Sequence, residues 1–413
     1  RDNIGTSAKP IATQTGNIKG KAETGDAYIQ NSGAITIGGV SGGAAGTAPA
    51  GLQAGGSASL GAESPITISE NIVANDQIVV ISKDSADDTA DFIRINSGIS
   101  LTTTAPAGSP LANLFAGQQY FVSVIGQNQI QLLDAPGGSA INVGSSAIPS
   151  TVHFLTPASP FSSGSNSLGD FESVAFTVGL DNTTLTLDKD IGLLTGDAVV
   201  YTIAGDITLL SGDAIEIESG ASLNASASIY MASDFGKLDG ASAPINVVNA
   251  TLTAGTSISG IATGDILIQT TTPVLAGTNI SLTAGGALTV TDSSIDATSG
   301  FVSLAANGGA ITLSTAPVTA GTSIAGSASG DILIQTTSPV LAGTNITLTA
   351  GGALTVTDSS IDATSGFVSL AANGGAITLS TAPVTAGTSI TGSASGDILI
   401  QTTTPVLAGT NIS

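Results

Sequence analysis

Residues 255–320 recur almost unchanged as residues 321–386, and this repetition restricts the fold more than any other feature of the chain. The two copies align without a gap and differ at five positions only. A third copy begins at Gly387 and is cut off at Ser413, before half of the unit is complete. A fixed period is typical of proteins in which each unit packs on the next along one axis. We therefore expect an elongated array that continues, or docks on another subunit, beyond Ser413.

Each 66-residue unit divides again into three 22-residue segments, which begin at Gly255, Gly277 and Ser299 in the first copy. Aliphatic residues recur at equivalent positions of the segments, and such columns predict stacks of buried side chains. The most regular column recurs once in every segment, and we expect it to be the structural stack of the fold. Its members are Ile258, Ile280, Val302, Ile324, Ile346, Val368, Ile390 and Ile412.

Within a segment the hydrophobic period is two, as in Leu288-Thr289-Val290-Thr291. This alternation is typical of β-strands with one face buried. The strand runs are separated by turn formers such as Gly-Gly, Asn-Gly and Asp-Ser-Ser. Three short strands per segment predict one coil of a parallel β-helix, and coils about 4.8 Å apart give a unit of three coils a length of roughly 14 Å. We therefore predict an all-β parallel β-solenoid with coils of the 22-residue period.

The rest of the chain is less regular. We interpret residues 1–103 and 205–254 as solenoid coils with looser spacing, and 255–413 as near-identical repeats (255–320, 321–386 and a partial 387–413). Residues 40–60 are rich in Gly and Ala and are interpreted as a long turn or loop.

Residues 104–204 interrupt the solenoid pattern and hold most of the Phe and Tyr residues of the chain. The segments "QQYFVSVIGQNQIQLLD" and "VAFTVGLDNTTLTLDKD" are each typical of a β-hairpin. We predict a small β module inserted into the solenoid, with an aromatic core of its own. A set of irregular coils with long loops is the alternative.

Composition excludes several classes of partner. The chain has 30 acidic and 8 basic residues, a net charge of −22, and no Lys or Arg from Leu238 to Ser413. We therefore expect no binding to nucleic acid or anionic lipid. No apolar run reaches the roughly 18 residues that a transmembrane helix needs, so we expect no membrane insertion. A hydrophobic fraction of 41 % argues against a disordered chain.

Few residues are candidates for chemistry. Asp292 and Asp296, with their equivalents Asp358 and Asp362, are the calcium candidates. Calcium needs several converging oxygen atoms, and equivalent carboxylates lie about 14 Å apart at the strand spacing. We therefore expect solvated turn carboxylates, no metal and no cofactor, with calcium as the alternative. His153 is the only histidine and has no evident catalytic partner, so we expect no catalytic residues and no enzyme.

The segment "AGTNISLTAGGALTVTDSSIDATSGFVSLAANGGAITLST" resembles the haemagglutinin-type repeats of large secreted bacterial surface proteins of the filamentous-haemagglutinin kind. "SPITISENIVANDQIVVIS" and "DDTADFIRINSGISL" are similar to other coils of such proteins. The resemblance covers roughly 1–103 and 205–413. It implies a right-handed β-helix, export to the cell surface, and a role in adhesion, biofilm or a surface fibre.

These observations together predict a structural, secreted protein that forms a stiff fibre on the bacterial cell surface by end-to-end or lateral assembly. Its expected partners are further copies of the chain, with host or surface glycans as another possibility. One alternative is a giant adhesin whose single chain is a stalk for a distal binding domain. A more remote alternative is a polysaccharide-active β-helix enzyme.

Overall fold

The chain divides into two compact units, one of Arg1–Asp213 and Leu223–Ala241 and one of Ala214–Ser222 and Ser242–Ser413. We refer to them as unit 1 and unit 2. The described residues form strands and turns, with no helix among them, and hence no helix that could cross a membrane. The computed structural model describes residues 3–5, 10–40, 51–83, 91–106, 113–114, 119–126, 128–143, 153–157, 174–178, 181–187, 195, 198–235, 242–401 and 405–413.

Both units contain parallel β-solenoid coils, and each coil contributes one strand to each of three sheets. We call these sheets the first, second and third face, in the order in which the chain reaches them within a coil. The strands form where aliphatic residues alternate with Thr and Ser, and they are short because Gly, Asn and Asp at the corners end each run. The predicted parallel β-solenoid with its 22-residue coils is confirmed.

In unit 1, strands pair in parallel along each face in chain order. The first face contains β1 (Ile11–Thr13), β4 (Ala27–Asn31), β7 (Ala58–Ala62), β10 (Ile78–Ser82), β19 (Ile207–Ser211) and β22 (Ile229–Ala232). The second face contains β2 (Asn17–Ile18), β5 (Ile35–Ile37), β8 (Ile66–Ile68) and β11 (Ile93–Ile95). The third face contains β3 (Gly20–Ala22), β6 (Leu52–Ala54), β9 (Ile72–Ala74) and β12 (Ser100–Thr103); β21 (Ser222–Ala225) has its first residue in unit 2.

Unit 2 has the more regular coils. Its first face contains β25 (Ile258–Ala262), β28 (Ile280–Ala284), β31 (Val302–Ala306), β34 (Ile324–Ala328), β37 (Ile346–Ala350), β40 (Val368–Ala372) and β43 (Ile390–Ala394). The second face contains β20 (Ile215–Ile217), β23 (Ile245–Val248), β26 (Ile266–Gln269), β29 (Leu288–Thr291), β32 (Ile311–Ser314), β35 (Ile332–Gln335), β38 (Leu354–Thr357), β41 (Ile377–Ser380) and β44 (Ile398–Gln401). The third face contains β24 (Thr251–Ala254), β27 (Val274–Ala276), β30 (Ile295–Ala297), β33 (Val318–Ala320), β36 (Val340–Ala342), β39 (Ile361–Ala363), β42 (Val384–Ala386) and β45 (Val406–Ala408).

The core of unit 2 follows directly from the alternation in the sequence. In β29, Leu288 and Val290 are fully buried, while Thr289 and Thr291 between and after them are only partly buried. Leu288 lies in register with Ile311 of the next coil. Each inward residue therefore packs on its equivalents one strand spacing away, which buries an apolar column that a single coil leaves exposed.

The first face of unit 1 differs from this pattern. Every residue of β4, β7, β10, β19 and β22 is buried, on the outward as well as the inward side. Outward residues there include Val79, Ile81, Leu210 and Tyr230, which form a separate buried apolar cluster. The neighbouring second-face strands β5, β8 and β11 keep the one-sided pattern. In unit 1 the first face is thus covered on both sides.

The interpretation of residues 40–60 as a long turn or loop is wrong for two segments. Leu52–Ala54 is β6 and Ala58–Ala62 is β7. Strand β7 pairs with β4 on one side and with β10 on the other, where Leu60 lies opposite Val80. Two ladders of backbone hydrogen bonds thus outweigh the low strand propensity of Gly and Ala. Residues 41–50 lie outside the described residues.

The module predicted between the solenoid coils is a closed antiparallel barrel. Its strands are β13 (Gln119–Gly126), β14 (Gln129–Leu133), β15 (His153–Pro157), β16 (Val174–Val178), β17 (Thr184–Leu187) and β18 (Ala198–Ile203), in the order β13-β14-β17-β16-β15-β18. The solenoid continues past it, because β10 before the barrel pairs with β19 after it, with Ile78 opposite Ile207. The boundaries drawn at 104 and 204 stay a prediction.

Both predicted hairpins are present in the barrel, as the antiparallel pairs β13–β14 and β16–β17. The described aromatic core consists of Tyr120, Phe176 and Tyr201, and the ring centroids of the last two lie 6.3 Å apart. Three further aromatics of the predicted core lie outside the described residues; these are Phe115, Phe161 and Phe171. Aromatic rings therefore pack in the barrel core together with aliphatic residues such as Ile130 and Leu132.

The burial of alternate residues in unit 2 can be tested with two substitutions in one strand. Leu288→Ala should lower the free energy of unfolding by about 2–5 kcal/mol, because it leaves a cavity in a column that neighbouring strands hold at fixed spacing. Thr289→Ala, on the outward side of the same strand, should change it by less than about 0.5 kcal/mol. Guanidinium denaturation followed by far-UV circular dichroism measures both. Equal effects of the two substitutions would contradict the assignment of inward and outward sides.

Candidate functional site

The predicted structural stack forms one ladder of the first face. Its eight members are neighbours in the parallel register, from Ile258 opposite Ile280 to Ile390 opposite Ile412. The first seven are at most 6 % exposed, and Ile412 is 59 % exposed. Apolar contact is therefore continuous from coil to coil, and this repeated contact is the main candidate for function in unit 2.

Glycine at the corner between the first and second faces allows the coils to approach each other. Gly285 follows β28, and a Cβ atom built on it would overlap the carbonyl oxygen of Thr263 in the preceding coil. Gly351 has the same relation to Ser329 one repeat later. In these two coils the backbone conformation leaves no room for a side chain, whereas the equivalent corner positions of other coils hold Thr263, Asn307 and Ser329.

Glycine also occurs on the inward side of the first face, once in every three coils. Gly260 and Gly326 occupy positions that Leu282 and Leu304 occupy in other coils. A Cβ atom on Gly326 would lie 2.8 Å from Cδ2 of Leu348 in the next coil. The leucine of one coil therefore fills the space that glycine leaves in its neighbour, so the three coils of a repeat differ in shape inside.

Side-chain oxygen atoms at the corners connect each coil to the next. Asp265 precedes β26, and its Oδ1 accepts a hydrogen bond from the backbone N–H of Ala287, in the following coil, at 2.8 Å. Such bonds give partners to backbone N–H groups at the exposed corners between strands. The equivalent bonds run to Asp331 Oδ1 from Ala353, to Asn279 Oδ1 from Phe301 and to Asn345 Oδ1 from Phe367. Sequence reasoning missed these bonds, although each acceptor precedes a strand at a fixed position of the repeat.

The four calcium candidates occupy two kinds of position. Asp292 and Asp358 are exposed corner residues with left-handed backbone, at φ values of 58° and 51°. Asp296 and Asp362 are partly buried on the outward side of β30 and β39. Within the described part of the chain, no group of three or more His, Cys, Asp or Glu residues could hold a metal ion. These aspartates are therefore surface carboxylates of the repeat in this structure.

Asp206 is a buried acidic group of unit 1. It lies between the last barrel strand, β18, and β19, and it is 2 % exposed. Its Oδ2 accepts a hydrogen bond from the N–H of Ile203 at 2.7 Å, and its Oδ1 accepts one from the N–H of Ser228 at 2.9 Å. Burial raises the pKa of Asp206 to about 7, against the opposing effect of these two hydrogen bonds. The carboxyl group of Asp206, which directly precedes β19, thereby connects the end of β18 to the residue before β22.

The other notable charges of unit 1 are structural as well. Glu70 lies 2.6 Å from Nζ of Lys19 and accepts hydrogen bonds from the N–H groups of Gly51 and Gly39. The lysine, followed by these hydrogen bonds, holds the pKa of Glu70 below its usual value, although partial burial opposes the shift. His153 lies in β15, opposite Ile203.

The corner glycine generates a prediction for unit 2. Gly285→Ala should destabilise the fold strongly, by more than about 2 kcal/mol, because the new methyl group meets a backbone carbonyl that cannot move independently. Gly392→Ala is the control, since its nearest contact would be a side-chain methyl group of Ile398 at 3.5 Å. Thermal unfolding of both variants measures the difference. A Gly285→Ala variant as stable as Gly392→Ala would contradict the close approach of the coils.

Asp206 generates a pH prediction. Its pKa of about 7 in the folded state lies above the ordinary value of 3.8, so between these limits the folded protein retains a proton that the unfolded chain has released. Its contribution to the free energy of unfolding should therefore fall as pH rises from about 4 to about 7, and stay level above that. Asp206→Asn should remove this decrease, whereas Asp292→Asn, at an exposed corner, should leave it in place. Denaturation midpoints between pH 4 and pH 8 measure the slopes, and an unchanged slope in Asp206→Asn would contradict the assignment.

Comparison with protein families and with curated proteins assigns this chain to no family. No family model matches the chain, and no curated protein matches it. The fold is that of a parallel β-solenoid repeat protein. The likeness to filamentous-haemagglutinin-type proteins rests on the sequence of the repeats alone.

Proposed function

We propose that this chain is a structural, non-enzymatic protein whose repeats form a stiff β-solenoid fibre on the bacterial cell surface, with a role in adhesion, biofilm or a sheath. The observation that carries the proposal is the stacking of near-identical coils in register through unit 2. The resemblance of the repeats to filamentous-haemagglutinin-type surface proteins supports the same function.

The proposed mechanism is mechanical. Along the first face, backbone hydrogen bonds connect each coil to the next, as from Ile280 to Phe301, Val302 to Ser323 and Ile324 to Asn345, at 2.9–3.0 Å. Equivalent bonds on the other two faces surround the apolar column. Bending such a coil stack would break hydrogen bonds on one side and compress side chains on the other. Stiffness therefore follows from the arrangement, without any catalytic group.

The same arrangement favours self-association. A coil needs only another coil of equal cross-section to continue its three ladders, and parallel strand edges pair readily with strands of other chains. Because the repeats are nearly identical, a second copy offers the matching columns at each 66-residue period. Further copies of the chain are therefore the proposed partners.

An extracellular location is part of the proposal. From Leu238 to Ser413 the chain contains neither Lys nor Arg, so trypsin-like proteases find no cleavage site there. Proteins outside the cell meet such proteases, and a surface fibre gains lifetime from their exclusion. Immunogold labelling of intact cells that produce the natural protein would test this location, and labelling found only after lysis would count against it.

The proposed absence of enzymatic activity rests on the distribution of titratable groups. From Leu238 to Ser413 the titratable side chains are all aspartates. Polysaccharide hydrolysis needs two carboxyl groups on either side of one bond, one of them with a raised pKa. The described aspartates of the repeats recur as surface carboxylates at the same positions of each repeat.

The test uses the purified full chain in electron microscopy and fibre diffraction. We expect unbranched filaments with a strong axial reflection at about 4.8 Å from single coils and a weaker one at about 14 Å from three-coil units. Separate rods of one uniform length would favour the adhesin stalk instead. Release of reducing ends from a panel of bacterial and host polysaccharides would favour the enzyme. A chain that remains monomeric up to its solubility limit would contradict the fibre proposal.

A further inference from the structure

The outward side of the first face in unit 2 is free of charge. The outward residues of β25, β28, β31, β34, β37, β40 and β43, and the residue before each strand, are Ser, Thr, Ala, Asn, Ile or Phe. These outward side chains are partly buried or exposed, in alternation with the buried column. We call this surface the neutral face.

All carboxylates between Ser242 and Ser413 lie elsewhere. Asp296 and Asp362 lie in strands of the third face. The others are corner residues beside strands of the second face; these are Asp265, Asp292, Asp331, Asp358 and Asp397. No cation accompanies them, so two copies of this region repel each other on the acidic sides. The first face has such a carboxylate at one of its two corners only, in one coil of three, whereas aspartates lie at both corners of the second face and within the third. A second acidic copy therefore meets the least like charge on the neutral face.

The neutral face also exposes apolar side chains. Ile261 is 43 % exposed, and Phe301 and Phe367 are 41 % and 39 % exposed. The two phenylalanines are equivalent residues of successive repeats, which places them about 14 Å apart along the face, three strand spacings. Exposed aromatic residues at a regular spacing on an uncharged sheet are typical of a contact surface.

The first face of unit 1 shows that this side of a coil can be covered. There the outward residues of five strands are buried, while the second-face strands beside them are buried on one side only. Large apolar residues such as Val79, Leu210 and Tyr230 occupy those outward positions. The coil geometry is therefore compatible with a layer packed on its first face.

We propose that the neutral face of unit 2 docks on the neutral face of a second copy of this chain. The inference rests on the proposed self-associating fibre and names the surface that joins two solenoids side by side. Small Ser, Thr and Ala side chains allow sheets to pack face to face at about 10 Å. Both copies have the same period, so Phe301 and Phe367 meet equivalent surfaces whenever the shift between the copies is a whole repeat.

The size of the face sets the strength of the contact. Seven strands, each five positions long, cover roughly 34 by 16 Å, about 550 Å² on each copy. Two such faces bury about 1,100 Å², just above the lower limit for a specific interface. Pairing through these seven coils should therefore be weak and reversible, and it should strengthen as more coils are added.

The test compares two double variants in the same two coils. Ser281→Asp with Ser303→Asp places charge on adjacent strands of the neutral face. Thr289→Asp with Thr312→Asp does the same on the second face and is the matched control. Sedimentation velocity over a concentration series and filament width in micrographs are measured on the full chain. We expect double-width filaments from the wild type and the control, and association at least about 10-fold weaker in the neutral-face variant.

A second double variant without added charge controls for effects of the substitutions on folding. Phe301→Ser with Phe367→Ser introduces a residue that Ser257, Ser323 and Ser389 already place at equivalent positions. We expect this variant to keep its circular dichroism and to lose side-by-side pairing. Retained pairing in both neutral-face variants, or equal loss in the second-face control, would overturn the proposal.

The results of these experiments test the side-by-side contact and the end-to-end fibre separately. Filaments of single-solenoid width in the wild type would overturn the neutral-face contact and leave the fibre proposal standing. Paired particles that do not grow end to end would overturn the fibre and leave the contact standing. Binding of a polysaccharide or another protein to this face, without pairing of the chain, would overturn the choice of a second copy as occupant.

Discussion

The distance between adjacent parallel strands, about 4.8 Å, is the constraint on which the rest of this structure depends. At corners such as Gly285 and Gly351 it brings a backbone carbonyl of the preceding coil to the place that a Cβ atom would occupy. It also sets the vertical contact between inward residues, so that Ile280 packs on Val302 and on Ile258. Corner acceptors such as Asp265 act across the same distance. Core, corners and surface therefore repeat with the same spacing. A substitution in one coil first alters the packing of the two coils next to it.

The sequence predicted the solenoid well because a 22-residue period and two-residue alternation are both visible in single letters. Leu288 and Val290 are buried as their alternation with Thr indicates. Strand β7 escaped notice, because Ala58–Ala62 owes its conformation to two neighbouring strands more than to its own propensity. Burial on both sides of β10 could not be read from the sequence either. A run of apolar residues such as Ile78–Ile81 is compatible with a strand covered on one face or on two.

The candidate site was less predictable than the fold. The eight stack residues were apparent as a column, but the hydrogen bonds of Asp265 and Asn279 to the next coil depend on corner geometry that propensities do not encode. The burial of Asp206 between the barrel and the solenoid depends on a contact with Ser228, which lies one coil further along the chain. The neutral face emerged only when the three faces were known, because its residues are ordinary Ser, Thr and Ala in the sequence.

The inward glycines of the first face have a consequence for how such a gene can change length. Gly326 and Leu348 fit together because one leaves the space that the other fills. Along this column one glycine is followed by two leucines, as in Gly260, Leu282 and Leu304. Recombination that removed or added one coil would break that order, leaving a single leucine between two glycines or three or more leucines in succession. Exchange by a whole 66-residue repeat restores every contact. Unequal crossing-over should therefore leave descendants whose arrays differ by complete three-coil units. Variants that gain or lose a single coil would pack poorly inside and would be lost.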